Sequence, residues 1–288
     1  MELTLEHITK QYRAKKALDD VSAVLTEGVW ALLGENGAGK TTLMHIVTGL
    51  LEPTAGTVKW NSKSISSLGA EYRAVLGFLP QEPGFYPGFT GEEILRYFAE
   101  VKGIRHAGEQ IAALLETVNL TADKNRRVGQ YSGGMKRRLG IAAALLGDPK
   151  FIILDEPTAG LGPKERMRFR NLIGNIGRDR IVILATHIVS DVARICDRCM
   201  ILRSGNLVRT DTPEHLTAEL SGTVWTIPAG EQQAEQYLAM HPCANLQKTE
   251  QGLMIRTVSA EKPHPEAIPV PPTLEDVYLY YMSGQVGV

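Results

Sequence analysis

The sequence predicts an α/β fold built around a mainly parallel sheet, and three apolar runs carry this prediction. They are residues 29–33, 151–154 and 181–185, each of which is short, continuous and free of polar alternation. Such runs are typical of strands that are covered on both faces, as in a parallel sheet. Helical patterns lie between them, at residues 40–47, 92–101, 108–118 and 134–146. This alternation of strand and helix is typical of α/β folds.

Two further regions complete the predicted architecture. The segments before Gly28 and around residues 57–60 alternate polar and apolar positions and lack long helices, which favours an antiparallel side sheet. From residue 221 onward the chain is rich in proline and acidic residues and contains EKPHPEAIPVPPT, a stretch typical of an extended linker. We therefore expect a main domain at residues 1–220 and a small C-terminal extension at residues 221–288.

Composition narrows the class of protein. The 288 residues are 43% hydrophobic and 22% charged, which is typical of globular chains. A formal net charge of -1 gives no overall attraction to nucleic acid, so no nucleic-acid partner is expected. The sequence has no recognisable signal peptide and no apolar run near the roughly 20 residues of a membrane span, which predicts a cytoplasmic chain. The three cysteines, including Cys196 and Cys199, are expected to be ordinary reduced thiols.

Polar clusters follow all three predicted strands. Residues 34–41 follow the first strand, Asp155 and Glu156 the second, and Thr186 and His187 the third. In open parallel sheets, ligands bind beyond the carboxyl ends of the strands. The clusters are therefore predicted to converge on one site.

The first cluster, GENGAGKT, has the P-loop pattern G-x-x-x-x-G-K-[ST] between a predicted strand and a predicted helix. Its glycines let successive N–H groups point at phosphate oxygens, and the following helix contributes unpaired N–H donors. Lys40 is predicted to reach the β- and γ-phosphates, and the Thr41 hydroxyl to bind Mg²⁺. A glycine-rich turn without a ligand is the disfavoured alternative.

The second cluster supplies the predicted catalytic carboxylates. Asp155 closes an apolar strand, where a carboxylate can hold Mg²⁺ directly or through water. Adjacent carboxylates repel each other unless a cation or a reaction uses them. We assign Asp155 to the metal and Glu156 to the polarisation of the attacking water.

The segment Tyr131-Ser132-Gly133-Gly134-Met135 resembles the family motif of ABC transporter ATPase subunits, usually L-S-G-G-Q. The order P-loop, glutamine, S-G-G, Asp-Glu and histidine is also that family's order, with Gln81 and His187 in the remaining places. The resemblance covers roughly residues 2–220. The segments YSGGMKRRLGIAAALLGDP and FYPGFTGEEIL are similar to sequences in the ATPase subunits of drug, antibiotic or peptide exporters.

The resemblance implies a P-loop ATPase core with a helical subdomain at about residues 82–147. It also implies a head-to-tail dimer with a second copy of the chain, in which each S-G-G segment closes over ATP held by the other copy. His187 would orient the water, and Gln81 would sense the γ-phosphate. The implied nucleotide-binding residues are Tyr12, which would stack on adenine, with Gly34, Asn36, Gly37, Gly39, Lys40, Thr41, Thr42, Ser132, Gly133 and Gly134. The implied Mg²⁺ residues are Thr41, Gln81 and Asp155.

Three of these residues also have a purely structural interpretation. Taken alone, His187 would be a core histidine, Gln81 a loop amide, and Tyr12 a partly buried residue of the side sheet. Their places in the family order favour the functional interpretation.

A turn-rich aromatic stretch and the C-terminal tail suggest partners. Phe85, Tyr86, Phe89 and Tyr97 form either a small satellite core or a docking surface. The resemblance favours docking of an integral membrane permease, with the chain peripheral on the inner face of the cell membrane. The tail at residues 274–282 is predicted to be an amphipathic helix that packs on the C-terminal extension or on a second copy.

The predicted function is therefore an ATP hydrolase that powers a separate permease, an exporter of a drug, antibiotic or peptide. The alternatives are a regulatory nucleotide switch with little turnover and an ABC ATPase outside transport. Gly162 stands where the family usually has an aspartate that bridges the two subunits, which predicts slow or weakly cooperative turnover. The basic residues Lys124, Arg126, Arg127, Lys136, Arg137 and Arg138 are expected to form a solvated face or a field that attracts nucleotide. Binding to anionic lipid headgroups is the alternative for this cluster.

Overall fold

A computed structural model describes residues 1–230, 234–235, 237–238, 244–249 and 252–283. The strands in chain order are β1 (Glu2–Tyr12), β2 (Lys15–Thr26), β3 (Gly28–Leu33), β4 (Ala55–Trp60), β5 (Lys63–Ser64), β6 (Leu76–Leu79), β7 (Phe151–Asp155), β8 (Ile181–Thr186), β9 (Arg198–Arg203), β10 (Asn206–Asp211), β11 (Val224–Pro228), β12 (Asn245–Thr249), β13 (Gly252–Val258) and β14 (Ile268–Pro269). The helices are α1 (Lys40–Val47), α2 (Ile65–Leu68), α3 (Ala70–Val75), α4 (Gly91–Val101), α5 (Gly108–Thr117), α6 (Gly133–Leu145), α7 (Pro163–Ile176), α8 (Val189–Val192), α9 (Pro213–Glu219) and α10 (Leu274–Ser283).

The central sheet has six strands in the order β10-β9-β3-β8-β7-β6. The pairs from β9 to β6 are parallel, and β10 is antiparallel to β9. Every residue of β3, β7 and β8 is buried, because apolar layers cover both faces of the sheet. The three apolar runs are therefore adjacent strands, which confirms the predicted α/β fold and brings their carboxyl ends to one edge.

The side sheet is antiparallel, in the order β2-β1-β4-β5, as predicted. Its buried residues, such as Leu3 and Leu18, belong to the same apolar cluster as Trp30 and Leu32 of the central sheet. The side sheet therefore lies against the face of the central sheet that also carries α1. Tyr12 ends the first strand of the side sheet, at the edge near the P-loop.

Helices α4, α5 and α6 contact one another. The first of them begins at a capping box, in which the Glu93 N–H donates to Thr90 Oγ1 (3.2 Å) and the Thr90 N–H donates to Glu93 Oε2 (2.7 Å). These two bonds satisfy backbone donors that the helix leaves unpaired. The division of the chain at residues 82–147 stays a prediction.

The C-terminal strands form a separate sheet in the order β12-β13-β11-β14. The predicted linker is extended but docked, since Ile268 and Pro269 pair with β11. The predicted tail helix is α10, and it contacts α8, α9 and β9 as well as β13. Its buried Val277 shares an apolar cluster with Ile201 and Leu216 of the preceding region. The tail thus packs on the main region as well as on the extension, and the predicted boundary at residue 220 stays untested.

No helix in the described residues is long and apolar enough to cross a membrane.

Candidate active site

A cleft of about 300 Å³ lies beyond the carboxyl ends of the central strands. It brings together ten of the residues singled out from the sequence: Tyr12, Asn36, Gly37, Gly39, Lys40, Thr41, Thr42, Gln81, Asp155 and Glu156. Lys15, Ala17 and Glu35 also line the cleft, although no sequence motif assigned them a role. The segment KKALDD, which closely follows Tyr12, was the available signal for the first two.

The P-loop backbone adopts conformations that need glycine. Gly37 and Gly39 have φ values of 84° and 109°, in the left-handed region that side chains disfavour. A Cβ on Gly39 would also lie 2.5 Å from the Ala17 carbonyl oxygen. Gly34 lies buried at the start of the loop, outside the cleft lining, where its carbonyl accepts a hydrogen bond.

The N-terminus of α1 is open toward the cleft. This helix begins at Lys40, and its N-cap residue Gly39 offers no side-chain cap. The first N–H groups of a helix have no intrahelical acceptors, and the helix dipole favours an anion there. This backbone geometry fits a phosphate group.

Lys40 is the buried cation of the cleft. The residue is 7% exposed, and its ammonium donates to the carbonyl oxygens of Gly34 (2.5 Å) and Glu35 (3.1 Å). Burial lowers the pKa of Lys40, and the nearby carboxylates of Glu156 and Asp155 oppose this shift. A buried ammonium bonded to neutral carbonyls retains positive charge for an anionic ligand.

Asp155 and Glu156 are 4% and 6% exposed. Burial raises the pKa of Asp155, and the neighbouring Glu156 carboxylate raises it further. Two adjacent buried carboxylates favour a nearby cation. Together with the Thr41 hydroxyl and the Gln81 amide, they supply the oxygen donors that Mg²⁺ prefers, so the residues present fit this ion.

The Glu156 side chain is held by the end of β8. The Thr186 hydroxyl donates to Glu156 Oε2 (3.1 Å), the His187 N–H donates to Oε1 (3.2 Å), and His187 Nδ1 lies 2.7 Å from Oε1. Glu156 has a φ of 46°, a left-handed conformation that costs energy for a side-chain residue and is common at functional sites. Thr186 therefore orients the carboxylate, a role that only its place before His187 signalled in the sequence.

Ser132, Gly133 and Gly134 lie outside this cleft. Ser132 is the N-cap of α6, where its hydroxyl accepts a hydrogen bond from the Met135 N–H at 3.2 Å. Ser132 and Gly133 are exposed, and they do not line the cleft that holds Lys40. Within one chain, the structure thus separates the S-G-G segment from the P-loop cleft.

The prediction of a solvated basic face is wrong for Arg137. Its side chain is 3% exposed, and its guanidinium donates to four backbone carbonyls rather than to water. Two of these carbonyls, those of Asp155 and Glu156, belong to the carboxylate segment. The sequence did not distinguish Arg137 from its basic neighbours Lys136 and Arg138, both of which are only partly buried.

Tyr12 lies at the edge of the cleft, and Gly162 lies at the start of α7. The Tyr12 ring is 48% exposed at the cleft edge, with the Lys10 ammonium 5.4 Å from its centroid. Gly162 is the N-cap of α7, with φ of -71° and ψ of 166°. This extended backbone suits an aspartate equally well, so conformation alone does not require glycine there.

The two neighbouring thiols are free. Cys196 Sγ and Cys199 Sγ lie 3.6 Å apart, and the hydrogen bond with Cys196, together with burial, raises the pKa of Cys199. The described residues contain no group of three or more His, Cys, Asp or Glu side chains arranged for a metal ion.

A sequence model described as ABC transporter matches residues 18–159. The chain is 37% identical over 233 residues to an uncharacterised ABC transporter ATP-binding protein, YxlF, of Bacillus subtilis (strain 168), covering 80% of this chain and 77% of that protein. It is 35% identical over 212 residues to the bacitracin transport ATP-binding protein BcrA of Bacillus licheniformis, covering 73% of this chain and 69% of that protein.

A solved structure of similar fold is a dimeric ATP-binding cassette in a post-hydrolysis state bound to ADP and Pi. Its TM-score is 0.66 and its identity is 25%, over 73% of this chain and 98% of that chain.

Proposed function

The chain belongs to the ABC transporter family as an ATP-binding, ATP-hydrolysing subunit, and from this premise we propose that two copies close around ATP to drive a separate membrane permease. The observation that carries the proposal is the cleft in which Lys40, Asp155 and Glu156 meet, while Ser132 stands outside it.

The residues predicted from the sequence have the following proposed roles. The P-loop N–H groups and Lys40 bind the β- and γ-phosphates, and Tyr12 stacks on adenine. Thr41, Gln81 and Asp155 hold Mg²⁺, which neutralises phosphate charge when bound. Glu156 accepts a proton from the attacking water, and His187 holds that carboxylate in place and contacts the γ-phosphate. The nucleotide-binding set also includes Gly34, Asn36, Gly37, Gly39, Thr42 and the S-G-G residues Ser132, Gly133 and Gly134.

The exposed S-G-G segment supports a head-to-tail dimer. Its helix N-terminus is a phosphate-binding feature with no phosphate site of its own chain beside it. In a head-to-tail pair, this segment faces the γ-phosphate held by the P-loop of the other copy. The similar solved structure, a dimer bound to ADP and Pi, supports a dimeric state.

Mixing two inactive variants tests this shared site. Lys40→Ala removes the P-loop cation, and Ser132→Arg blocks the S-G-G segment. In random mixed dimers, half of the pairs contain one intact site, so the mixture should recover about a quarter of the parent turnover. Mixing Lys40→Ala with a Lys40→Ala/Ser132→Arg double variant is the matched control, because no dimer then holds an intact site. Equal, negligible turnover in both mixtures would refute the shared site.

The surface beside Gln81 fits the proposed permease contact. Tyr86, Phe89 and Tyr97, here called the aromatic patch, are 57%, 39% and 38% exposed. Their rings pack edge to face or tilted, with centroids 5.5 to 6.4 Å apart. Solvent-exposed aromatic clusters of this kind are typical of protein interaction sites. An apolar groove lined by Phe78, Pro80 and Phe85 reaches the residue directly before Gln81.

We propose that a cytoplasmic segment of an integral membrane permease occupies this surface, which places the chain on the inner face of the cell membrane. The bacitracin transport relative supports a drug, antibiotic or peptide as the exported substrate. Co-purification from detergent-solubilised membranes tests the contact. Tyr86→Ser should release the permease, whereas Val24→Ser, at a 53% exposed site on β2, should not.

A further inference from the structure

One buried arginine joins three segments of the candidate site. Arg137 lies on α6, and its Nη1 donates to the carbonyl oxygens of Pro80 (2.8 Å) and Gln81 (2.7 Å). Its Nη2 donates to the carbonyl oxygens of Asp155 and Glu156. The two arms of one guanidinium thus bind the glutamine segment and the carboxylate segment.

Packing alone does not account for an arginine at this position. A buried cation costs desolvation energy, and an apolar side chain of similar volume usually serves a core as well or better. Arg137 bonds to four backbone carbonyls but forms no ion pair among the described residues. The planar guanidinium fork is what this position uses, since its two Nη groups hold two separate pairs of acceptors in a fixed relation, while Nε has no hydrogen-bond partner among the described residues.

The same helix carries the S-G-G segment. Ser132 and Arg137 are five residues apart on α6, which places them about 7.5 Å apart along the helix axis. A helix of this length moves as a unit, so a shift of its tip also shifts the guanidinium. The backbone bonds of Arg137 would transmit that shift to Gln81 and Glu156.

We propose that Arg137 is a positioning residue that couples the orientation of α6 and the glutamine segment to the alignment of Glu156. This inference rests on the roles proposed above for Glu156 and the S-G-G segment. Arg137 itself touches backbone rather than nucleotide. Its loss should therefore lower the rate of the chemical step more than the affinity for ATP.

Arg138 provides a matched control on the same helix. Its guanidinium donates to the carbonyls of Val118 and Asn119, which directly follow α5 and belong to neither the glutamine segment nor the carboxylate segment. Arg137→Met should lower kcat by about tenfold to a hundredfold and leave KM within about threefold, whereas Arg138→Met should leave both within about threefold. Arg137→Lys should recover part of kcat, because an ammonium is smaller than the fork and serves fewer acceptors at once.

Thermal unfolding of each purified full-length variant shows whether it is folded. If Arg137→Met does not fold, the kinetics of Arg137→Lys test the proposal instead. A selective loss of kcat in either Arg137 variant supports the proposal. Unchanged kcat in a folded variant overturns it, and so does a parallel loss of kcat and ATP affinity that Arg138→Met reproduces. Glu156→Gln separates the two proposals. Full turnover of this variant would refute the base role of Glu156 on which the inference rests, whereas lost turnover of Glu156→Gln together with unchanged kcat in a folded Arg137→Met variant would refute the role of Arg137 alone.

Discussion

Replacing Glu156 by glutamine isolates the proposed proton transfer from the architecture of the site. Glutamine has nearly the same shape, and its oxygen can still accept from the His187 N–H, 3.2 Å from Oε1 in the parent. Its amide can face the Thr186 hydroxyl, which accepts as readily as it donates. We therefore expect the free energy of unfolding to change by less than about 1 kcal/mol.

Turnover should respond far more strongly. A positioned general base contributes on the order of 10² to 10⁴ in rate, which corresponds to about 3–5 kcal/mol of activation free energy. Phosphate release under single-turnover conditions measures this loss, and equilibrium ATP binding, expected within about threefold of the parent, shows that the cleft is intact. Glu71→Gln, at an exposed carboxylate of α3, is the control. Turnover of Glu156→Gln within about tenfold of the parent, with ATP bound normally, would refute the assignment of Glu156 as the base.

Three further predictions concern pH, the core and cooperativity. The hydrogen bonds from Arg96 and Lys124 lower the pKa of Glu92 below 4.5, so the ionised carboxylate stabilises the fold above that pH. Glu92→Gln should therefore lower the free energy of unfolding at pH 7, measured in urea, by a few tenths to about 1 kcal/mol. This difference should disappear as the pH falls through the folded-state pKa of Glu92. A pH-independent difference would contradict this. Val277→Ala should lower the free energy of unfolding by about 2–3 kcal/mol, because a fully buried side chain loses two methyl groups; a loss below about 0.5 kcal/mol would show that α10 is not part of the core. Gly162→Asp should cap α7 and raise the Hill coefficient of ATP hydrolysis, and an unchanged coefficient would leave the weak cooperativity without this explanation.

Residues that act at strand ends were predictable, because their positions follow from sheet topology. The P-loop, Asp155, Glu156 and His187 each lie at or directly after the end of an apolar strand, and the carboxyl ends of adjacent parallel strands share one edge of the sheet. Arg137 and Thr186 were not predictable in the same way. Their roles depend on hydrogen bonds to segments distant in sequence, and an arginine among basic neighbours has the composition of a solvated surface.

The packing of α10 was missed for a related reason. An amphipathic pattern shows that a helix has an apolar face but does not identify the surface that covers it. The cover consists of α8, α9 and β9, which lie in the chain before the proline-rich stretch that suggested a boundary.

The position of α10 has a consequence for synthesis on the ribosome. Helix α9 ends at Glu219 and α10 begins at Leu274, so the 54 residues 220–273 are made between them. At bacterial or eukaryotic elongation rates this interval lasts about 3–11 s. During that interval the apolar surface that Val277 later covers, which includes Ile201 and Leu216, is without α10. A chaperone that recognises exposed apolar surface therefore has time to bind before α10 is made.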